Sequence, residues 1–225
     1  MGGQACVLYG AAEFSRDIDL AILADPRNLS RLDKALSDLQ AEPIAVPPYH
    51  LKYLRRGHAI HFRCMDPEAS RIRIDIMSKI RGLEPFSKLW RRRTTLILPG
   101  NLSCDLMALP DLVKAKKTQR DKDWPMIRRL LEAHYFQNQK SPTRSQIIFW
   151  LRELRTPELL IEAAHGHPHT CRRLAADRPL LFNALSGEPE EIAKGLLEEE
   201  MKERQKDRLY WLPLREELEI LRRSR

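Results

Sequence analysis

Residues 15–20 read Ser15-Arg16-Asp17-Ile18-Asp19-Leu20, and residues 71–77 read Arg71-Ile72-Arg73-Ile74-Asp75-Ile76-Met77. Ile18-Asp19-Leu20-Ala21-Ile22-Leu23, which continues the first stretch, and residues 71–77 alternate as a strand buried on one face does. Residues two apart on a strand share a face. Asp17 and Asp19 therefore project from one side of a strand that continues through residue 23, with Ile18, Leu20 and Ile22 on the other. In the second stretch Asp75 shares the polar face with Arg71 and Arg73, and Ile72, Ile74 and Ile76 point into a core. If the two strands are neighbours, three carboxylates converge. An all-oxygen cluster of that kind suits Mg²⁺, which shares its shell with water and substrate phosphates. The same acids also fit a plainer role as solvent-facing residues of an amphipathic sheet.

Working outward, Ala59-Ile60-His61-Phe62-Arg63-Cys64 and Thr94-Thr95-Leu96-Ile97-Leu98 predict further strands, the latter closed by Pro99-Gly100. Leu29, Leu32, Leu36 and Leu39 recur at helical spacing up to Gln40, with Asn28 or Ser30 as the cap. Val46-Pro47-Pro48 predicts an extended connection. From Pro110 onward the pattern is helical: helices open at Pro110-Asp111 and Asp123-Trp124-Pro125, then span 146–154, 159–164, 189–206 and 214–223. The mixed charges of residues 188–208 predict a solvated helix face. The fold class expected is α+β, a mixed β-sheet flanked by helices over residues 1–108, followed by a helical region over 109–225.

The context upstream of Asp17 narrows the chemistry. Gly2-Gly3, then Ala5-Cys6-Val7-Leu8-Tyr9-Gly10, then the Asp17-x-Asp19 strand resembles the signature of DNA polymerase beta-type nucleotidyltransferases. Pro110-Asp111-Leu112-Val113-Lys114-Ala115-Lys116-Lys117 followed by Arg120-Asp121-Lys122-Asp123 is similar to a segment of bacterial nucleotidyltransferases related to AbiEii-type toxins. The two resemblances cover about residues 1–135. They imply a third acid on a later strand, where Asp75 falls, and one or two Mg²⁺ ions held by Asp17, Asp19 and Asp75. They further imply transfer of a nucleoside monophosphate from an NTP to an RNA (tRNA included), protein or small-molecule acceptor. Gly2 and Gly3 would approach the phosphates, Ser15 would hydrogen-bond one, and Lys114 or Lys117 would assist. Paired glycines permit close backbone approach whatever the family. Two other classes stay open: a catalytically weak or inert binding module, one half of a toxin–antitoxin pair, and a nuclease using the same carboxylates. In the resembled fold a buried strand leads into the glycine pair. Here Met1 precedes Gly2 directly, so the expectation is that a chain begun further upstream is more stable.

Other clusters have ordinary readings beside the functional ones. Lys114, Lys116, Lys117, Arg120 and Lys122 form a basic run in which Lys114 and Lys117 share a helix side, facing either phosphate, solvent or a structural ion partner. Trp90 beside Arg91-Arg92-Arg93 suits nucleic-acid stacking, but with Phe86 and Leu89 it reads more readily as core. His165, His167, His169 and Cys171 lack the separated-pair spacing of zinc ligands and predict a polar loop between helices. His58 and His61 flank a strand as packing or surface residues, with His61 within reach of the carboxylate face.

Composition sets the outer bounds. The chain has 225 residues, 39 Lys+Arg against 31 Asp+Glu and a net charge of +8, which favours anionic partners. No run of eighteen apolar residues occurs, so neither a membrane-spanning helix nor a membrane partner is expected. Four widely spaced cysteines and no basic–apolar leader fit a reducing cytoplasm. Oligomeric state is left open.

Overall fold

The structure is a computed structural model describing residues 1–224. It is α+β, with a mixed four-stranded sheet, a two-stranded sheet and a helical carboxy-terminal region. By packing, the chain forms two compact units: Met1–Ala115 with Arg208–Arg225, and Lys116–Asp207. Residues 208–224, expected within one helical region, thus group with the first unit.

The first unit begins with helix α1 (Gly2–Leu8), strand β1 (Asp17–Ala21) and helix α2 (Pro26–Asp38). The α2 cap is Asp25, whose carboxylate accepts from the Arg27 N–H, rather than Asn28 or Ser30. Pro26 supplies the pre-set φ of a first helical residue, so the helix starts a few residues earlier than the leucine spacing suggested. Strand β2 (Ala41–Pro43), helix α3 (Leu51–Arg56), strand β3 (Ile60–Cys64), strand β4 (Arg73–Met77) and helix α4 (Phe86–Arg91) follow. Strands β5 (Thr94–Leu98) and β6 (Leu102–Leu106) form a hairpin, turned by Gly100 and Asn101, both at positive φ. Helix α5 (Leu109–Lys116) ends the sequence-continuous part of this unit.

The main sheet has the order β1-β4-β3-β2. β1 and β4 run parallel, whereas β4–β3 and β3–β2 are antiparallel. One face carries the core: Ile60, Phe62 and Cys64 of β3 and Ile74 and Ile76 of β4 pack with Leu36 of α2 and Leu54 of α3. Burying a side chain such as Phe62 or Ile76 contributes about 1.5–3 kcal/mol. The alternation that builds this core leaves the opposite face to the polar residues.

Trp90 departs from expectation. Leu89 is buried, but Trp90 is 46% exposed. Its ring stacks on Phe86 at 5.7 Å, and the Arg93 guanidinium sits 4.1 Å above it. The indole is partnered by neighbours on its own segment instead of by the core.

The second unit holds helices α6 (Asp123–Asn138), α7 (Arg144–Glu153), α8 (Pro157–Gly166), α9 (Pro168–Leu174) and α10 (Leu180–Ser186). Trp150, Leu151, Leu160, Ile127 and Leu131 fill its core. Residues 165–171 are not a polar loop. His165 lies in α8, His169 and Cys171 lie in α9, and His167 alone sits between them. Pro168 begins α9 at once, and Cys171 is buried as a small apolar side chain.

The last two expected helices are one. Helix α11 (Pro189–Arg223) is continuous, with Pro213 in its interior. Its solvated face is also incomplete, since Asp207 is 2% exposed and accepts from the Gln119 N–H at 2.9 Å. Near the end of α11, Glu217 pairs with Arg56 and takes the buried His58 Nε2 at 2.7 Å. Among the described residues, no helix is long and apolar enough to cross a membrane. All four cysteines are free thiols.

Candidate functional site

The polar face of the main sheet is organised by strand register. Asp19 of β1 stands opposite Asp75 of β4, and Asp75 stands opposite His61 of β3. These three form one transverse row. The next row runs Asp17, Arg73, Arg63 and Glu42 across all four strands. Adjacent strands lie about 5 Å apart, so Asp19 and Asp75 are cross-strand neighbours, while Asp17 stands one row along, opposite Arg73. The strand neighbourhood on which the expected convergence depends is present, with Asp19 beside Asp75 and Asp17 beside Arg73.

Asp75 is the most constrained of the three. Arg73 donates Nε to its Oδ1 at 2.7 Å and its second amine to Oδ2 at 2.9 Å. His61 Nδ1 lies 2.8 Å from the same Oδ1. Burial pushes the Asp75 carboxyl upward, but the hydrogen bonds with His61 and Arg73 outweigh it and hold the group below its ordinary range. Arg73 is in turn stabilised as a cation, first by Asp75 and further by the charges of Asp17 and Asp19.

Helix α1 packs its glycine pair onto β1. Gly2 sits at φ +64°, and a Cβ there would lie 1.8 Å from Oδ2 of Asp19. The Gly3 N–H donates to that same oxygen at 3.3 Å. A Cβ on Gly3 would lie 2.3 Å from the Ser15 hydroxyl oxygen. Ser15 donates to the Asp17 carbonyl at 3.0 Å, and Gln4 donates to the Ser15 carbonyl at 3.0 Å. Gly2, Gly3, Ser15, Asp17 and Asp19 thus meet in one place.

The lysines do not form a pair on one helix. Lys114 is exposed on α5, a helix that ends at Lys116. Lys117 lies just past that end and pairs with Glu153 at 2.6 Å. Lys116 is bound to Asp123 at 3.0 Å. The structural ion-pair reading describes Lys116 and Lys117.

The donor set is chemically suited to a hard cation. The Asp17 carboxylate accepts no hydrogen bond among the described residues, Asp19 lies one strand position from Asp75, and all three offer oxygen. Asp75, by contrast, is directed to Arg73 and His61. No group of three or more His, Cys, Asp or Glu side chains stands in metal-holding geometry among the described residues. What sequence reasoning missed is the bidentate Arg73–Asp75 pair. Its signal was present in the i,i+2 spacing, which placed both groups on one face without saying that they would join.

The chain matches no protein-family model and no curated protein. Fold and site together define an α+β protein with a carboxylate-bearing mixed sheet closed at one side by a glycine pair.

Proposed function

We propose that the protein is a Mg²⁺-dependent nucleotidyltransferase of the cytoplasm. It joins the α-phosphate of an NTP to an acceptor hydroxyl and releases pyrophosphate. The reading is carried by one observation: Asp19 and Asp75 face each other in register, with Asp17 two residues along and Gly2 closing on Asp19. Asp17, Asp19 and Asp75 would hold the metal. Bound there, Mg²⁺ neutralises phosphate charge and favours in-line displacement.

The protein's own groups supply the rest. Gly2 and Gly3 lack side chains, which lets Asp19 and Ser15 close on α1 and sets the backbone that the phosphates would meet. Ser15 orients the turn into β1 through its bond to the Asp17 carbonyl. Asp75 helps to activate the acceptor hydroxyl, and His61 fixes the direction of its carboxylate. The acceptor is an RNA, a protein side chain or a small molecule.

The test incubates the full chain with each labelled NTP, Mg²⁺ and a cell extract. A labelled product is expected with the wild type and lost in Asp17→Asn and Asp19→Asn. Retained incorporation in either variant would overturn the assignment.

The Arg73–Asp75 pair favours a second reading, an inert binding module of toxin–antitoxin type in which a guanidinium takes the place of a metal. In that case nucleotide binding by calorimetry is indifferent to Mg²⁺ and no NTP is incorporated. The transferase reading requires Mg²⁺ to tighten nucleotide binding.

A further inference from the structure

The second unit contains a groove of about 400 Å³ that the proposed transferase site does not use. Its floor is made by Lys117, Arg155 and Arg178 with Glu153 and Glu199. The Arg155 and Arg178 side chains are only 9% and 8% exposed. Both guanidinia turn to the same carboxylate. Arg155 reaches Glu199 at 2.8 Å, and Arg178 takes it in a fork at 2.9 Å on each oxygen. Glu153 faces Lys117 at 2.6 Å as an ion pair, though its Oε2 is buried and accepts no hydrogen bond among the described residues. Two buried guanidinia thus share the Glu199 carboxylate.

The shortfall is visible at Arg155. Arg178 also donates to the Leu151 and Leu154 carbonyls at 2.8 and 3.1 Å, so its fork is well used. Arg155 Nε is buried with no hydrogen-bond partner. Burial first, and then the charge of Arg178, pull the Arg155 guanidinium below its ordinary value against the opposing pull of Glu199, Glu153 and Glu200. A buried donor and a surplus cation are both costly when left unmatched.

The rim repeats the imbalance. Arg152 faces Asp177 at 3.6 Å, and Lys206 pairs with Glu203 at 2.9 Å. Lys202 lines the groove, is exposed, and makes no ion pair among the described residues. The charge missing from floor and rim is negative. Planar guanidinia beside a mobile lysine match tetrahedral oxyanions in geometry as well as charge.

We propose that this groove is a phosphate-binding site, with Arg155 and Lys202 as the residues that meet the ligand. The phosphate comes either from a free polyphosphate or from a nucleic-acid backbone. The site is independent of the transferase reading, because it lies wholly within residues 116–207.

The experiment uses the full chain carrying Asp17→Asn and Asp19→Asn, without Mg²⁺ or NTP, so that the proposed transferase site contributes nothing. One arm titrates inorganic pyrophosphate by calorimetry. The other titrates a fluorescent single-stranded RNA by anisotropy across a salt series. Binding in either arm is expected, with affinity falling about tenfold or more in Lys202→Glu and in Arg155→Gln. Lys202 is exposed, so its variant keeps the test valid if Arg155→Gln fails to fold. Pyrophosphate binding alone identifies a free polyphosphate. RNA binding with a salt slope reduced in Lys202→Glu identifies a backbone. Binding in neither arm, or binding indifferent to Lys202→Glu, overturns the proposal.

Discussion

Gly2 and Asp19 are so closely packed that a Cβ on the glycine would fall 1.8 Å from the aspartate oxygen. The contact joins the start of α1 to the middle of β1. It ties the backbone conformation of one residue to the position of a candidate metal ligand on another.

Gly2→Ala is therefore expected to act twice. The φ of +64° costs an L-residue roughly 1–2 kcal/mol, and the new methyl must displace either α1 or the Asp19 carboxylate. The denaturant midpoint should fall by at least the equivalent of that strain, and NTP labelling should be lost with it. An unchanged midpoint would show that the glycine is dispensable.

A second prediction concerns acid. Asp123 is 1% exposed and is held by Lys116 at 3.0 Å, Thr118 at 2.6 Å and Arg120 at 2.7 Å. Burial pushes its carboxyl upward, but the charge of Lys116, with Thr118 and Arg120, brings it below its ordinary value. The folded pKa lies below the unfolded value of about 3.9. Its stabilisation is thus present above the unfolded pKa and is lost as pH falls through the folded pKa. Asp123→Ala should cost about 3–5 kcal/mol at neutral pH, as expected for breaking a buried pair. Urea melts at neutral and acid pH should show that difference shrinking below pH ~4.

Pro213 offers a prediction of opposite sign. It is exposed inside α11, where a proline forfeits one backbone hydrogen bond and crowds the preceding turn. Pro213→Ala should raise stability by up to about 3 kcal/mol, read as a higher melting temperature. A fall in melting temperature would mean that α11 needs the local distortion in order to pack.

Much of the first unit was legible because strand alternation is a local property. The period of two in residues 18–23 and 71–77 put Asp19 and Asp75 on polar faces, and the same spacing placed Asp17 beside Asp19, without any tertiary information. Elements with weak local signals were not legible. The three-residue β2 and the seven-residue α9 and α10 are too short for periodicity to declare them. β6 contains Asp105 and Ser103 among its apolar residues, and only its pairing with β5 makes it a strand. The two helices expected at residues 189–206 and 214–223 are one, continuous through Pro213. Trp90 was read as core from its type, but its partners are Phe86 and Arg93 on the surface.

By itself, the sequence determined the fold class, the alternating faces of β3 and β4 and the identity of the acids on the strands; in β1 it did not, since Leu20, read as facing the core, is 38% exposed. Hydrophobic alternation suffices for that, since it depends only on neighbours along the chain. The tertiary structure alone decided that Asp19 stands opposite Asp75, that Arg73 and His61 take up the Asp75 oxygens, and that Arg155 and Arg178 share Glu199. Each of these is a choice among several charged groups of suitable sign. Register, burial and side-chain geometry make that choice, and residues distant in the chain set all three.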